Sequence, residues 1–264
     1  MSALTGSEPG MSLPLLRPDW PAPPGVMAAV SQRAGGVSSP PWASLNLGGG
    51  VGDEAHAVAT NRARFAAALG ARPVWLQQVH GRHVLRLDAD APDASLPPAD
   101  AAWTTEPGIA CTVLVADCLP VLMARRDGGA VAAAHAGWRG LAAGVLEATV
   151  AALCEGAAAA PGDIVAWLGP CIGPRRFEVG ADVLLACGQQ PEHADTDCFV
   201  YRPRGDGSPR WLADLPRLAR RHLAAAGVAA FSESGACTVE DASRFFSFRR
   251  DGLTGRFAAA VWRR

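Results

Sequence analysis

Two histidines and one cysteine each stand at the end of a short apolar run; taken singly each reads as a buried thiol or a hydrogen-bonded imidazole, but together they could form a metal-ligand set. His80 closes a segment opened by Val74-Trp75-Leu76, Cys118 follows Val113-Leu114-Val115-Ala116, and His135 ends Val131-Ala132-Ala133-Ala134. Two imidazoles and a thiolate suit zinc and leave a fourth position open, the pattern of a catalytic rather than a structural site. Their spacing matches no local zinc-finger signature, so the fold must bring them together. The same residues support a second chemistry: Cys118 as the nucleophile of a metal-free hydrolase or amidase, with His135 or His80 as its base. The two readings conflict, because a thiolate committed to zinc is not free to attack carbon.

Other polar residues are candidates around this set. Asp117 precedes Cys118. In a continuing strand it faces the other way; where the strand has ended it can accept from a ligand histidine or act as a general acid/base. His83, three after His80, falls on the opposite face of a strand. Arg139 lies in His135-Ala136-Gly137-Trp138-Arg139-Gly140, a strand-to-turn-to-helix sequence. A helix start favours an anion and a guanidinium can hold phosphate; alternatively the glycines only permit a tight turn and Arg139 pairs structurally. Arg33, Ser44 and Asn46 in an early loop, and Arg249, Arg250 and Asp251 near the C-terminus, are candidates for sugar or phosphate binding. Phe245, Phe246 and Phe248 either stack on a base or fill core. Cys111 and Cys171 read as buried structural thiols.

The elements that must position these groups are legible from apolar runs and breakers. Short runs bounded by Gly and Pro read as buried strands, whose ends can meet at one sheet edge. Strands are expected at 25–31, 164–168 and 257–262, with mostly strands and turns from 74 to 135. Helices are expected at 53–69, stopped by Gly70, at 141–153, at 180–186 and at 215–226, the last capped by Asp214 with Pro216 in its first turn. A long Gly/Ser/Pro loop spans 33–52, and a low-complexity Ala/Gly loop lies near 156–162. Many strands with about four irregularly placed helices predict an α+β fold. We expect one compact domain over 18–264, mixed β-sheets flanked by helices in a layered sandwich, behind a flexible tail at 1–17.

Composition bounds the function. The chain has 264 residues, 49% apolar and 19% charged, with a net charge of −1, so a globular chain with a sizeable core is expected and a nucleic-acid footprint is not. All 24 basic residues are Arg. That excludes a Schiff-base lysine and a Walker A lysine, and leaves phosphate chemistry to Arg, backbone amides or a metal. An odd count of 7 irregularly spaced cysteines predicts a reducing, cytoplasmic setting rather than a disulfide scaffold. Proline-interrupted N-terminal sequence predicts no signal peptide, and no run reaches membrane-spanning length.

Several blocks resemble a known family. QVHG, ADCLPVL, HAGWRGL, LGPCIGPRRFEVG and FFSFRRDGLTGR, with SQRAGGVSSPPWASLNLGGGVGDE and NRARFAAALG upstream, resemble the signatures of the bacterial YfiH-type proteins. These are also called laccase-domain, polyphenol oxidase-type or peptidoglycan editing factor proteins. The match covers about residues 18 to 264, in order. The resemblance implies zinc on His80, Cys118 and His135. It implies purine nucleoside phosphorylase activity on adenosine, inosine and methylthioadenosine, with adenosine deaminase activity, so the implied partners are purine nucleosides and phosphate. The older name implies copper-dependent phenol oxidation. Copper (Cu2+) is disfavoured: a blue-copper site wants a weak axial ligand such as Met, only Met123 lies near a ligand in sequence, and a multicopper enzyme needs more than the 6 histidines present.

Overall fold

Alternation divides each central strand between two apolar layers. Along Ile109–Val115, Cys111, Val113 and Val115 face one layer while Ala110 and Leu114 face another, as the two-residue side-chain period of a strand requires. In the same way Ala102 and Trp103 of Ala101–Thr104 separate onto opposite faces. The computed structural model describes residues 13–89, 96–191 and 197–264.

These strands build two large sheets. One has five strands in the order Leu15–Leu16, Val26–Ser31, Phe257–Arg263, Ile109–Val115, Arg72–Trp75. The other has six, in the order Ala230–Glu233, Ile164–Leu168, Leu119–Arg125, Val131–Ala136, Ala101–Thr104, Val84–Arg86. Both are mixed: their centres are antiparallel, while Arg72–Trp75, Ala230–Glu233 and Val84–Arg86 join in parallel. The sheets stack face to face over Cys111, Val113, Ala259 and Val261 on one side and Ala102, Leu122, Val131 and Ala133 on the other. Helix Ala55–Leu69 covers the outer face of the five-stranded sheet through Phe65 and Leu69. Helices Val145–Ala157 and Leu215–Ala225 cover the six-stranded sheet. The result is the expected α+β layered sandwich, with a small third sheet of Glu178–Val179, Trp211–Ala213 and Phe199–Tyr201 beside it. No helix among the described residues is long and apolar enough to cross a membrane.

Three expectations shift. Residues 1–12 lie outside the described residues, but Leu15 and Leu16 already pair with Ser31 and Val30, so the segment expected to be free up to 17 ends as an edge strand. The helix expected at 141–153 is two helices, Trp138–Ala142 and Val145–Ala157, because Gly144 takes a left-handed conformation at φ 85 between them. The expected Ala/Gly loop near 156–162 is partly helix. Gly156 continues the helix against Trp103, where a Cβ would lie 1.9 Å from the indole ring, and only a short turn at Pro161–Asp163 follows.

Candidate metal centre and its cleft

His80 and Cys118 occupy links that carry the chain from one sheet to the other. His80 lies between Arg72–Trp75 and Val84–Arg86, and Cys118 between Ile109–Val115 and Leu119–Arg125. His135 lies near the end of its strand, paired opposite Pro120. Each link must turn sharply, and each does so through a left-handed non-glycine residue: His80 at φ 60 and Asp117 at φ 98. Such conformations cost energy and persist only where surroundings hold them. The His80 turn is wrapped on one carboxylate. Asp100 accepts from the backbone N–H of Val79 (3.1 Å), His80 (2.8 Å) and Gly81 (2.7 Å). The Asp117 turn is held by its own side chain, which accepts from Thr238 Oγ1 and from the Arg249 backbone N–H, both at 2.6 Å. The backbone N–H of Ile172 donates to the Asp117 carbonyl at 2.9 Å.

The three donors converge. Their ligand atoms lie within 4.8 Å of one another, with Cys118 Sγ 3.8 Å from His80 Nε2. Ordinary zinc bond lengths in a tetrahedron separate sulfur and nitrogen by about 3.6 Å, so the donor set and its spacing fit zinc. Asp100, fully buried, also accepts from His135 Nδ1 at 2.8 Å. That bond places the proton on Nδ1 and leaves Nε2 as the metal donor. Burial opposes charge on all three groups. It is outweighed at Cys118 by His135 and His80, which lower the thiol pKa, and at His135 by Cys118 and Asp100, which raise the imidazole. At Asp100 the bonds from His135 and Gly81 outweigh burial and hold the carboxyl below its ordinary value. Without metal these shifts favour a thiolate beside an imidazolium, an arrangement a divalent cation can enter by displacing the imidazolium proton.

Gly137 lets the backbone pass close to these donors. A Cβ there would sit 2.8 Å from Cys118 Sγ and 3.2 Å from His80 Cδ2. Gly137→Ala should therefore weaken zinc binding by about tenfold, the scale of losing an outer partner, with a near-normal unfolding transition. Metal analysis beside a thermal melt checks this; full zinc occupancy with a lowered melting temperature would place the role of Gly137 in folding instead.

The centre opens into a cleft of about 740 Å³. Arg139 and Arg249, two of the candidates for substrate binding, line it. Arg249 donates to the Glu178 carbonyl at 2.9 Å and lies on the Phe177 ring, and Arg139 lies 4.2 Å from the Trp138 ring. Arg33, Ser44 and Asn46 do not reach the cleft; the early loop consumes them. Arg33 donates to the carbonyls of Ala43 and Ala242 and stacks on Phe246. Ser44 Oγ accepts from the Gly36 N–H, and buried Asn46 bonds to Gly48, Asp53 and the Arg256 N–H. Arg250 likewise holds carbonyls of Thr238 and Phe245 and pairs with Asp251. Phe245 and Phe246 are fully buried, whereas Phe248 is 59% exposed and lines the cleft. His83 turns to the Pro98 carbonyl, away from the cluster. Asp117 does not meet a ligand histidine: both its oxygens are spent on Thr238 and Arg249, and Asp100 takes the histidine instead. Asp100, Arg62, Arg256 and Gly48–Gly50 were missed in the sequence. The one local signal for Asp100 is an isolated acid between Ala99 and Ala101 at the start of a strand.

Residues 27–264 match a family described as multi-copper polyphenol oxidoreductase laccase. A purine nucleoside phosphorylase of Pseudomonas aeruginosa is 51% identical over 248 residues, 94% of this chain and 97% of that one. Purine nucleoside phosphorylase YfiH of Escherichia coli is 48% identical over 250 residues, covering 94% and 98%. Among solved structures, a protein of Neisseria meningitidis assigned to the DUF152 family superposes with a TM-score of 0.83 at 44% identity, covering 94% and 98%. YlmD from Geobacillus stearothermophilus gives 0.84 at 32% identity, covering 98% of each chain.

Proposed function

The chain belongs to the multi-copper polyphenol oxidoreductase laccase family, and from that premise we propose that it is a zinc-dependent purine nucleoside phosphorylase. The proposed substrates are adenosine, inosine and methylthioadenosine, and the proposal extends to deamination of adenosine. The observation that carries it is one cleft holding a zinc-type donor set, four guanidinium groups and an exposed aromatic ring. The donors are His80, Cys118 and His135; the guanidinium groups are those of Arg62, Arg139, Arg249 and Arg256. When bound, zinc would supply positive charge able to polarise an oxygen at this end of the cleft. The chain supplies the rest. Asp100 fixes the direction and proton of His135. Phe248 offers an open face for a purine ring. The arginines supply charge for an oxyanion. The names of the relatives supply the reaction class.

The family description points to copper, but the donors support a single-metal site. His80, Cys118 and His135 are the one cluster of three or more metal-type donors among the described residues. Met123, the methionine near Cys118 in sequence, is fully buried in the layer between the six-stranded sheet and its helices. A second reading has one observation in its favour: the lowered Cys118 thiol beside His135 is also what a cysteine hydrolase uses.

Inosine incubated with the purified protein should yield hypoxanthine and ribose 1-phosphate, and only when phosphate is present. Free ribose released at the same rate with or without phosphate would favour the hydrolase. With adenosine, ammonia release reports the deaminase activity.

A further inference from the structure

Two partly buried arginines line the cleft without forming an ion pair to a carboxylate among the described residues. Arg62 donates Nε to the Leu47 carbonyl at 2.9 Å and its guanidinium lies 4.5 Å from the Trp75 ring. Arg256 donates Nη1 to the carbonyls of Thr254 and Gly255. Neither joins an ion pair among the described residues, and their remaining N–H groups have no protein acceptor there. Burial lowers the pKa of both guanidinium groups, yet arginine keeps its charge at any ordinary pH. The acidic groups near Arg256 are Asp117 and Cys118. Asp117 already accepts from Thr238 Oγ1 and the Arg249 N–H, and Cys118 belongs to the metal-type donor cluster, so neither is bonded to the Arg256 guanidinium.

Between the two arginines runs Gly48-Gly49-Gly50. The Leu47 N–H donates to the Arg256 carbonyl at 2.9 Å, which ties the loop to that residue. A Cβ on Gly48 would strike Arg256 Cγ at 2.7 Å, so only glycine passes there. Gly49 and Gly50 are different: a Cβ on Gly49 would meet only Arg62 Nη2, at 3.7 Å, and one on Gly50 would meet nothing within 4 Å. Packing does not require glycine at these two positions. What the missing side chains leave open is backbone, and the N–H groups of Gly49 and Gly50 donate to no acceptor among the described residues. Free amides beside two guanidinium groups suit a tetrahedral oxyanion, whereas a lone carboxylate is satisfied by one arginine fork.

We infer that Arg62, Arg256 and the Gly48–Gly50 loop bind inorganic phosphate in the cleft that holds the metal-type donors, as the co-substrate whose oxygen bonds to the ribose anomeric carbon while the glycosidic C–N bond breaks and the purine leaves with a proton. The co-substrate role rests on the phosphorylase reading; the anion site itself does not.

Calorimetric titration of the purified protein with inorganic phosphate tests it. Arg62→Gln and Arg256→Gln should each weaken phosphate binding by about tenfold or more, while Arg62→Lys loses less because it keeps the charge. Gly50→Asp adds a carboxylate in open space without steric demand, so it should repel phosphate in a normally folded protein. In turnover, the KM for phosphate should rise and the KM for inosine stay within about twofold. Phosphate affinity unchanged in Arg62→Gln and Gly50→Asp, or undetectable in the wild type, overturns the site. Tighter binding of inosine 5′-monophosphate, lost through the same substitutions, overturns the co-substrate role in favour of a phosphate ester. If phosphate binding follows the substitutions but inosine stays intact, the anion site stands and the phosphorylase reading falls.

Discussion

Cys118→Ser should yield a folded protein that purifies with little zinc and turns over inosine roughly a hundredfold or more slowly, beyond the loss expected for an outer-shell partner. The fold should survive because Cys118 sits partly exposed in a link between sheets, at the cleft, and not in either apolar layer's interior. A serine oxygen is a poorer zinc donor than a thiolate, but two imidazoles remain, so zinc in excess should restore part of the activity. The nucleophile reading predicts otherwise: no activity at any zinc level, and a wild type indifferent to chelators. Alkylation gives a second view. Iodoacetamide should label Cys118 in the chelator-stripped protein ahead of Cys111, Cys171 and Cys198, which are buried and whose thiols burial pushes up, and added zinc should protect it. The pH dependence has a definite sign. When no metal is present His135 is shifted up, which favours a second proton on Nε2. Zinc uptake must displace that proton, so binding should weaken as pH falls. A fully active wild type without metal would end the zinc assignment.

The cluster of His80, Cys118 and His135 was legible because each is a soft or borderline ligand type placed where an apolar run stops, and strand ends can be read without knowing which sheet a strand joins. The crossing of the links between sheets could not be read, since Ile109–Val115 and Leu119–Arg125 look alike in sequence and part company only in pairing. The phenylalanines show the same limit: Phe245, Phe246 and Phe248 lie within four residues, and only Phe248 faces the cleft. The early loop misled for a physical reason. A segment with no ladder of its own must satisfy its backbone with side chains, so Arg33, Ser44 and Asn46 hold the loop's shape, joined by Asn61, which donates to the carbonyls of Ser44 and Asn46. Arg62 was hidden by the opposite bias, since an arginine on an amphipathic helix reads as a solvated residue. Gly144 was read as interior to a helix, although a left-handed glycine ends one turn and starts the next.

Asp100→Asn should be the most damaging single-atom exchange outside the ligands. Each oxygen of Asp100 accepts two hydrogen bonds: Oδ1 from the His80 N–H and His135 Nδ1, Oδ2 from the N–H groups of Val79 and Gly81. An amide has one acceptor oxygen and two donors, so in either orientation its NH2 group faces two other donors. If the NH2 meets Val79 and Gly81, the turn that holds His80 at φ 60 loses its anchor. If it meets His135, the imidazole must give up its Nδ1 proton and carry one on Nε2, the nitrogen zinc needs. Either way at least one backbone donor of the turn and part of the new amide go unpaired, at a cost of about 2–4 kcal/mol, and zinc affinity should fall about ten- to a hundredfold. The stability part carries a pH signature. Asp100 titrates below its ordinary value in the folded chain, so its charge contributes stability above the unfolded carboxyl pKa, and that contribution is lost as pH falls through the folded value. The gap between wild type and Asp100→Asn should therefore be full at neutral pH and shrink below about pH 4. Denaturant unfolding at several pH values, with zinc content and the His135 tautomer by NMR, would measure all three effects. An Asn variant with wild-type stability and full zinc would mean that Asp100 neither anchors the His80 turn nor sets the proton on His135.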